Sequence, residues 1–133
     1  MSDPVYELQG AILSRLKTTP AVTALVPAER IRDIPNATWT NVDYISVGPS
    51  NFVQDDYDCV YGGEVMIQID CWSVSGLVVV RQIADAVRLA TRDWTPTMAT
   101  NRVVTFDHWR TDYIRNPPIN QASVRFTAII EEP

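Results

Sequence analysis

Residues 64–74, EVMIQIDCWSV, set Val65, Ile67, Ile69 and Cys71 against Met66, Gln68, Asp70 and Trp72 in strict alternation. A backbone with a two-residue period sends these sets to opposite faces of a sheet. The first set is wholly apolar, so the strand is stable only if other apolar surface covers that face. Two stretches with helical periodicity supply such surface. Val80, Ile83, Ala84, Val87 and Ala90 form a stripe on a helix over about 77–91, with Arg81, Asp85, Arg88 and Arg92 largely on its other side. Val5, Leu8, Ile12 and Leu16 form another on a helix from Pro4 to about Lys17, with Ser2 and Asp3 as candidate caps. Val78 and Leu89 break the second helix's polar side, either as scattered surface apolars or as part of a contact with a second subunit. Arg81, Asp85 and Arg88 stand at i,i+4 and i,i+3 spacings that favour ion pairs.

The remaining elements follow from punctuation. Thr18-Thr19-Pro20 breaks the first helix, and a short helix over 21–26 ends at Pro27. Residues 30–34 read as a brief strand, 35–41 as a surface loop, and 43–48 as a strand closed by Gly48-Pro49. The stretch 49–63 shows no periodicity and reads as a long loop, a kind of segment that in compact domains tends to be functional. After a Thr/Pro connection over 94–101, strands are expected at 102–113 and 121–131 around an Asn116-Pro117-Pro118 turn. This order predicts an α+β fold: a mostly antiparallel sheet of about four strands with two main helices packed on one face, in a single domain over residues 1–133. A chain of 133 residues, 46% hydrophobic and 20% charged, can bury such a core. No apolar run approaches the ~20 residues of a spanning helix. The opening MSDPVYELQG lacks the basic region of a secretory signal, so folding in a cytosol and no membrane association are expected.

The inventory for chemistry is thin. The one histidine, His108, alternates away from Asp107 and Trp109, which makes a dyad with Asp107 geometrically poor and a structural role the simpler reading. Asp55, Asp56 and Asp58 offer carboxylates to a hard cation, but without the spacing of a calcium loop they read as a solvated or interfacial loop. Sixteen acids give no reason to single out a hydrolytic pair. Gly62-Gly63 precedes a strand rather than a helix and makes no phosphate cradle. Trp72 and Trp109 have the chemistry of stacking platforms for single-stranded nucleic acid, yet Asp70 shares the face of Trp72, and core or interface aromatics explain both more simply. Cys59 and Cys71 have neither metal nor redox spacing and read as reduced thiols, Cys71 packed inside a strand. No catalytic residue, cofactor or metal is expected, and the chain reads as a non-enzyme.

Charge points toward assembly. Of eleven basic residues ten are Arg, in a chain with four Trp and five Tyr. Interfaces enrich Arg and aromatics and deplete Lys, although a lineage bias toward Arg gives the same count. Residues 33–80 carry seven acids and no base, whereas the rest holds eleven bases against nine acids, for a net charge of -5. An acidic patch and a separate Arg-bearing patch suit head-to-tail contacts between copies, the alternative being ordinary solvated faces. A negative chain is poorly suited to gripping DNA phosphates.

The segments LQGAILSRLKTTPAVTALVPAERIRD, DYISVG, IQIDCWSVSGLVVVRQIADAVRLA and VRFTAIIEEP, in that order, resemble the tail-completion (tail terminator, head-tail joining) proteins of long-tailed bacteriophages and gene transfer agents. Trp72-Ser73 followed by Gly76 and a helix is the most specific part of the match. The loop DDYDCVYGG and the Asn116-Pro117-Pro118 turn depart from the family's pattern. The resemblance implies a structural virion protein of the tail-neck region, assembled in a bacterial host cytoplasm. It implies a homo-oligomeric ring, commonly a hexamer, that docks on the last ring of the tail tube protein, stops its polymerisation and meets a head-side neck or connector protein. Genome DNA passes the bore of such a ring without specific binding, and acidic residues near the bore repel its phosphates. On this reading Asp55, Asp56 and Asp58 line the lumen or a subunit junction. Arg110 and Arg115, flanking the last hairpin tip, either pair with a neighbour's acidic loop or are solvated. A head-side connector or stopper is the nearest alternative. A small cytosolic enzyme or ligand-binding module, with a pocket between sheet and helices, is an alternative of a different class.

Overall fold

The computed structural model describes residues 3–56 and 60–133. Asp3 opens the first helix, α1 (Pro4–Lys17), by accepting hydrogen bonds at its Oδ1 from the backbone N–H groups of Val5 (2.8 Å) and Tyr6 (3.4 Å). Those donors would otherwise lack partners in the first turn, and Pro4 has no N–H to lose there. Ser2, the other candidate cap, lies outside the described residues. After the Thr18-Thr19 break comes α2, Pro20–Thr23, which ends earlier than the periodicity suggests. Strands β1 (Tyr44–Gln54) and β2 (Tyr61–Ser73) precede the long helix α3 (Leu77–Thr91). Gly76 makes the turn into α3 at φ 119°, a conformation that side-chain-bearing residues rarely adopt. Strands β3 (Arg102–Ile114) and β4 (Asn120–Glu132) complete the chain.

The strands form one antiparallel sheet in the order β1-β2-β4-β3. The two central strands pair without interruption from Tyr61–Glu132 to Ser73–Asn120. Val65, Ile67, Ile69 and Cys71 of β2, with Val124, Phe126 and Ile130 of β4, face Leu8, Ile12 and Leu16 of α1 and Val80, Ile83 and Val87 of α3 in a single buried cluster. All helices therefore lie on one side of the sheet, as the alternation predicts. Burial pushes the Cys71 thiol pKa up, with Asp70 adding to the effect, so this sulfur is packing material. Phe126 stacks on Phe106 at 5.1 Å, Phe106 meets Trp94 edge-on at 5.7 Å, and Arg15 lies over Trp94 while donating to the Ala90 carbonyl at 2.9 Å.

Two sequence expectations need correction. The strand expected to stop at Gly48-Pro49 runs on to Gln54, so most of the supposed long loop is β1 and β2, joined by a short connection at 55–60. A bulge between Val47 and Ser50 is the reason: core-facing positions shift from Ile45 and Val47 to Ser50 and Phe52, and the change of phase erases the alternation. Pro49 is tolerated because β1 is an edge strand. The brief strand expected at 30–34 is reduced to a 3-10 turn at Ala28–Arg30 and one parallel bridge between Ile31 and Ile45, with Arg32 N–H donating to the Ile45 carbonyl at 3.0 Å.

Two stability predictions follow from this packing. Phe126→Ala removes a fully buried ring from the centre of the aromatic stack and should cost about 3–5 kcal/mol in urea unfolding. At the start of α1, the Glu7 carboxylate accepts from the backbone N–H groups of Asn101 (3.0 Å) and Thr100 (3.1 Å) and from the Asn101 side chain (2.7 Å). The Asn101 N–H bond is the main cause holding the Glu7 pKa below its ordinary value. A depressed carboxylate pKa stabilises the fold above the unfolded pKa, and that contribution is lost as pH falls through the folded one. Glu7→Gln should therefore lower the melting temperature at pH 7, and the gap from the unsubstituted chain should close as pH drops below about 4.

Candidate functional site

Because the helices cover one side only, the other side of the sheet has no covering layer among the described residues, and it carries an ordered polar cluster. Asp70 projects there from β2 and accepts at Oδ1 from Gln68 Nε2 (2.7 Å), Gln121 Nε2 (2.9 Å) and Ser123 Oγ (3.3 Å). Gln68, Asp70 and Ser123 are buried even with no helix above them. Close packing on the strand surface achieves this, since Gly48 leans over the pair: a Cβ built on Gly48 would stand 2.5 Å from Asp70 Oδ2 and 2.9 Å from Gln68 Nε2. The β1 bulge thus has a local function, bringing a residue without a side chain over a carboxylate.

Arginines on this face are committed to neighbours within the chain. Arg125 donates to Gln68 Oε1 at 3.0 Å and lies 3.6 Å from Asp112. Arg110 bonds Asp112 at 2.7 Å, an interaction that holds the Asp112 pKa below the ordinary aspartate value. Arg102 bonds Glu131 at 2.6 Å. Trp109, 53% exposed, has the guanidinium groups of Arg110 and Arg125 near its ring at 5.8 and 5.9 Å. At one end of the face Tyr44 stacks on Trp72 (5.9 Å), whose indole N–H donates to Ser46 Oγ at 3.0 Å, and Trp39 and Arg32 extend the stack. Burial, reinforced by the Asp70 charge, raises the Tyr44 pKa.

The residues singled out from sequence fall at two ends of this sheet. Asp55 and Asp56 follow β1 at the end where the β1–β2 connection lies. Asp55 N–H donates to the Gly62 carbonyl at 2.9 Å, and Asp56 accepts from Gln54 Nε2 (2.8 Å) and Gly62 N–H (3.2 Å). Asp58 and Cys59 lie outside the described residues. Arg115 is exposed in the β3–β4 turn at the opposite end, and Arg110 is occupied with Asp112, so within one chain the acidic loop and these arginines are kept apart. His108 points to the helix side, lies edge-on to Phe126 at 5.9 Å and contacts Thr111 Oγ1 at 2.7 Å. Burial, with Arg88 adding to it, lowers its pKa and favours the neutral ring. Val78 (66% exposed) and Leu89 (46%) stand out from α3, Leu89 beside an open groove of about 400 Å3 lined also by Arg15, Ala21, Asp85 and Ala86.

Sequence reasoning put Gln68 and Asp70 on the second face of β2 but missed their partners. The signal is present: Gln121, Ser123 and Arg125 occupy alternate positions of β4, and the register sets them opposite Trp72, Asp70 and Gln68. Among the described residues no three His, Cys, Asp or Glu side chains converge as a metal site. No helix among them is long and apolar enough to cross a membrane.

The model of the family described as tail completion protein gp17 matches residues 10–131. Among solved structures, a chain of one described as the virion of a native gene transfer agent (GTA) particle superposes with a TM-score of 0.88 at 19% sequence identity, over 98% of this chain and 99% of that one. At that identity the likeness is one of fold. No curated protein matches the chain by sequence.

Gly48→Leu forces a side chain into the space held by Asp70 and Gln68, and should destabilise the protein by about 1–3 kcal/mol. The shifts of the Gln68 and Gln121 side-chain amides in a 15N spectrum should move with it; an unchanged amide pattern would argue against the packed cluster.

Proposed function

The chain belongs to the tail completion protein gp17 family, structural proteins of the bacteriophage tail, and from that premise we propose that it forms a ring closing the head-proximal end of the tail tube. Such a ring stops tube polymerisation and gives the head-side neck protein a surface to join. Residues 1–133 act in it as one unit. The work is done by the shape and polarity of surfaces and requires no chemical transformation.

The observation that carries this reading is the uncovered polar face of the sheet. Antiparallel sheets often leave one face to solvent, but here that face is an ordered lattice of Gln68, Asp70, Gln121, Ser123 and Arg125. A subunit lining a water-filled bore needs such a face. Arg110 and Arg125 share Asp112 and Arg102 bonds Glu131, so the arginines are interspersed with carboxylates and offer no continuous basic strip to phosphates, and passing DNA slides rather than sticks. Exposed pairs of this kind add little to stability and are better understood as charge control at a surface.

In this reading Asp55 and Asp56 sit at a junction between subunits on one rim. Arg110 lies on the polar face, and Arg115 belongs to the other rim, where a protein above or below the ring meets it. The polarity of the two rims suits a terminator, which must fit the tube end on one side and refuse another tube subunit on the other.

Electron microscopy of particles made without this protein tests the proposal. Overlong tails, or separate heads and tails, are expected. Tails of normal length on heads that leak DNA would instead assign the chain to the head-side stopper. Replacing Asp55, Asp56 and Asp58 together by Lys should abolish ring formation or tail joining, read as loss of infectious particles, and full infectivity of that variant would remove these residues from the junction.

A further inference from the structure

We infer that neighbouring copies in the proposed ring join edge to edge, residues 50–54 of β1 in one copy pairing antiparallel with residues 103–108 of β3 in the next. This rests on the ring reading and names the surface by which the ring is built.

Strand direction is the first support. With order β1-β2-β4-β3 and every pairing antiparallel, the two outer strands run in opposite directions. A copy rotated about an axis along the strands, without being turned over, brings its β3 beside β1 antiparallel. The alternation of strand directions then continues from one copy into the next. A sheet whose two outer strands ran the same way would meet its neighbour in parallel, a less stable pairing per residue.

The second support is height. Tracing register across the sheet, Asn51 stands level with Met66, Thr127 and Asp107, and Phe52 with Val65, Ala128 and Phe106. Val53 stands level with Glu64, Ile129 and Thr105. The part of β1 past its bulge and the part of β3 between its two bulges therefore occupy the same level without any rise between copies. The β1 bulge and the second β3 bulge also coincide, both at the row of Gln68 and Arg125. Beyond that row the outer edge of β1 is already taken, by Arg32 N–H on the Ile45 carbonyl and Val47 N–H on the Asp33 carbonyl. Among the described residues no backbone hydrogen bond from outside the sheet reaches the stretches 50–54 or 103–108.

The third support is what the side chains would meet. On the helix side, Phe52 and Phe106 are half-buried at the two lateral margins of the core, and this pairing sets them against each other. On the open face Val53, 63% exposed, meets Thr105. Two rows further, Asp55 N–H bonds the Gly62 carbonyl, and the Gly62 row ends at Glu131 and Arg102, so the acidic end of β1 arrives beside the exposed Arg102–Glu131 pair. This complementarity selects a second copy over an unrelated strand as the occupant, and closure by copies removes both free edges at once.

The test is cysteine cross-linking of the full chain with Cys59 replaced by Ser, the buried Cys71 being left in place. Val53→Cys with Thr105→Cys should give a ladder of covalent oligomers with a short bifunctional thiol reagent, and Asn51→Cys with Asp107→Cys should do the same. Asn51→Cys with Arg115→Cys, which stand at different heights on the sheet, should give at least tenfold less. Light scattering on the same samples reports whether a ring is present. A multi-subunit mass without the Val53–Thr105 link would overturn the edge pairing while leaving the ring intact. A mass that stays at 15.0 kDa at high concentration would overturn the ring and the pairing together. Cross-linking of these positions only to tube subunits, in purified tails, would assign the edge to a different occupant and overturn the inference.

Discussion

The unbroken pairing of β2 with β4 is the constraint to which the rest of the molecule is fitted. From Val65 to Cys71 of β2 and from Ala122 to Ile130 of β4 the helix side is apolar, and the other side is mostly polar apart from Met66, Trp72 and Ile129, so one register decides both the core and the exposed surface. A slip of β2 by one residue against β4 would send Val65, Ile67 and Ile69 to water and Asp70 beneath the helices. Such an inversion would bury a charge without its partners while exposing the largest apolar groups. The helices then have one place to go, and the tight turn at Gly76 delivers α3 onto the strand it follows.

This hierarchy explains which parts were legible in the sequence. The α+β class, both long helices and the central strands were readable because each has one period from end to end: Val80, Ile83, Val87 in α3 and Val65, Ile67, Ile69 in β2. The outer strands are different. In β1 the core-facing phase changes across Gly48-Pro49, and in β3 it changes twice, from Val103 to Phe106 and again from His108 to Thr111. A bulge moves every later side chain to the other face, so alternation sampled over the whole strand averages away. Arg102–Tyr113 still reads as a strand because β-formers dominate it, whereas PSNFVQ, with Pro, Ser and Asn, reads as loop. The polar cluster was half legible: Asp70 could be placed on a face, but its contacts with Gln121 and Ser123 depend on a register between strands some fifty residues apart.

That cluster also shows why the open face is specific and not merely hydrophilic. Asp70 is nearly inaccessible and is held by amide and hydroxyl donors, with Arg125 reaching it only through Gln68. A buried carboxylate satisfied this way adds little net stability compared with an apolar replacement, but it penalises alternative packings of the same strands. Gly48 makes the same point from the backbone. The residue is needed because of the carboxylate beneath it, so the bulge, the glycine and Asp70 form one unit. Thermodynamic stability comes from the helix side, and definition of the surface comes from the other.

The edge geometry bears on how a ring of such subunits would form when and where it is needed. The proposed pairing involves five residues of β1 and six of β3, bounded at one end by the β1 bulge and the second β3 bulge. At about 1 kcal/mol net for each new backbone hydrogen bond, one such contact is weak between free subunits. Rotation to closure changes the balance, because the last contact forms between ends already held together and gains the effective concentration of an intramolecular step. The bulges also restrict pairing to one register, which disfavours the slipped and open-ended arrays that flat apolar edges invite. A weak, single-register, head-to-tail contact therefore keeps free chains apart at low concentration and favours the closed circle on a surface that gathers them. On the proposed reading that surface is the end of the tail tube, so the shortness of the edge contact leaves free chains to close a ring only at high concentration, and the tube end lowers the concentration that closure needs.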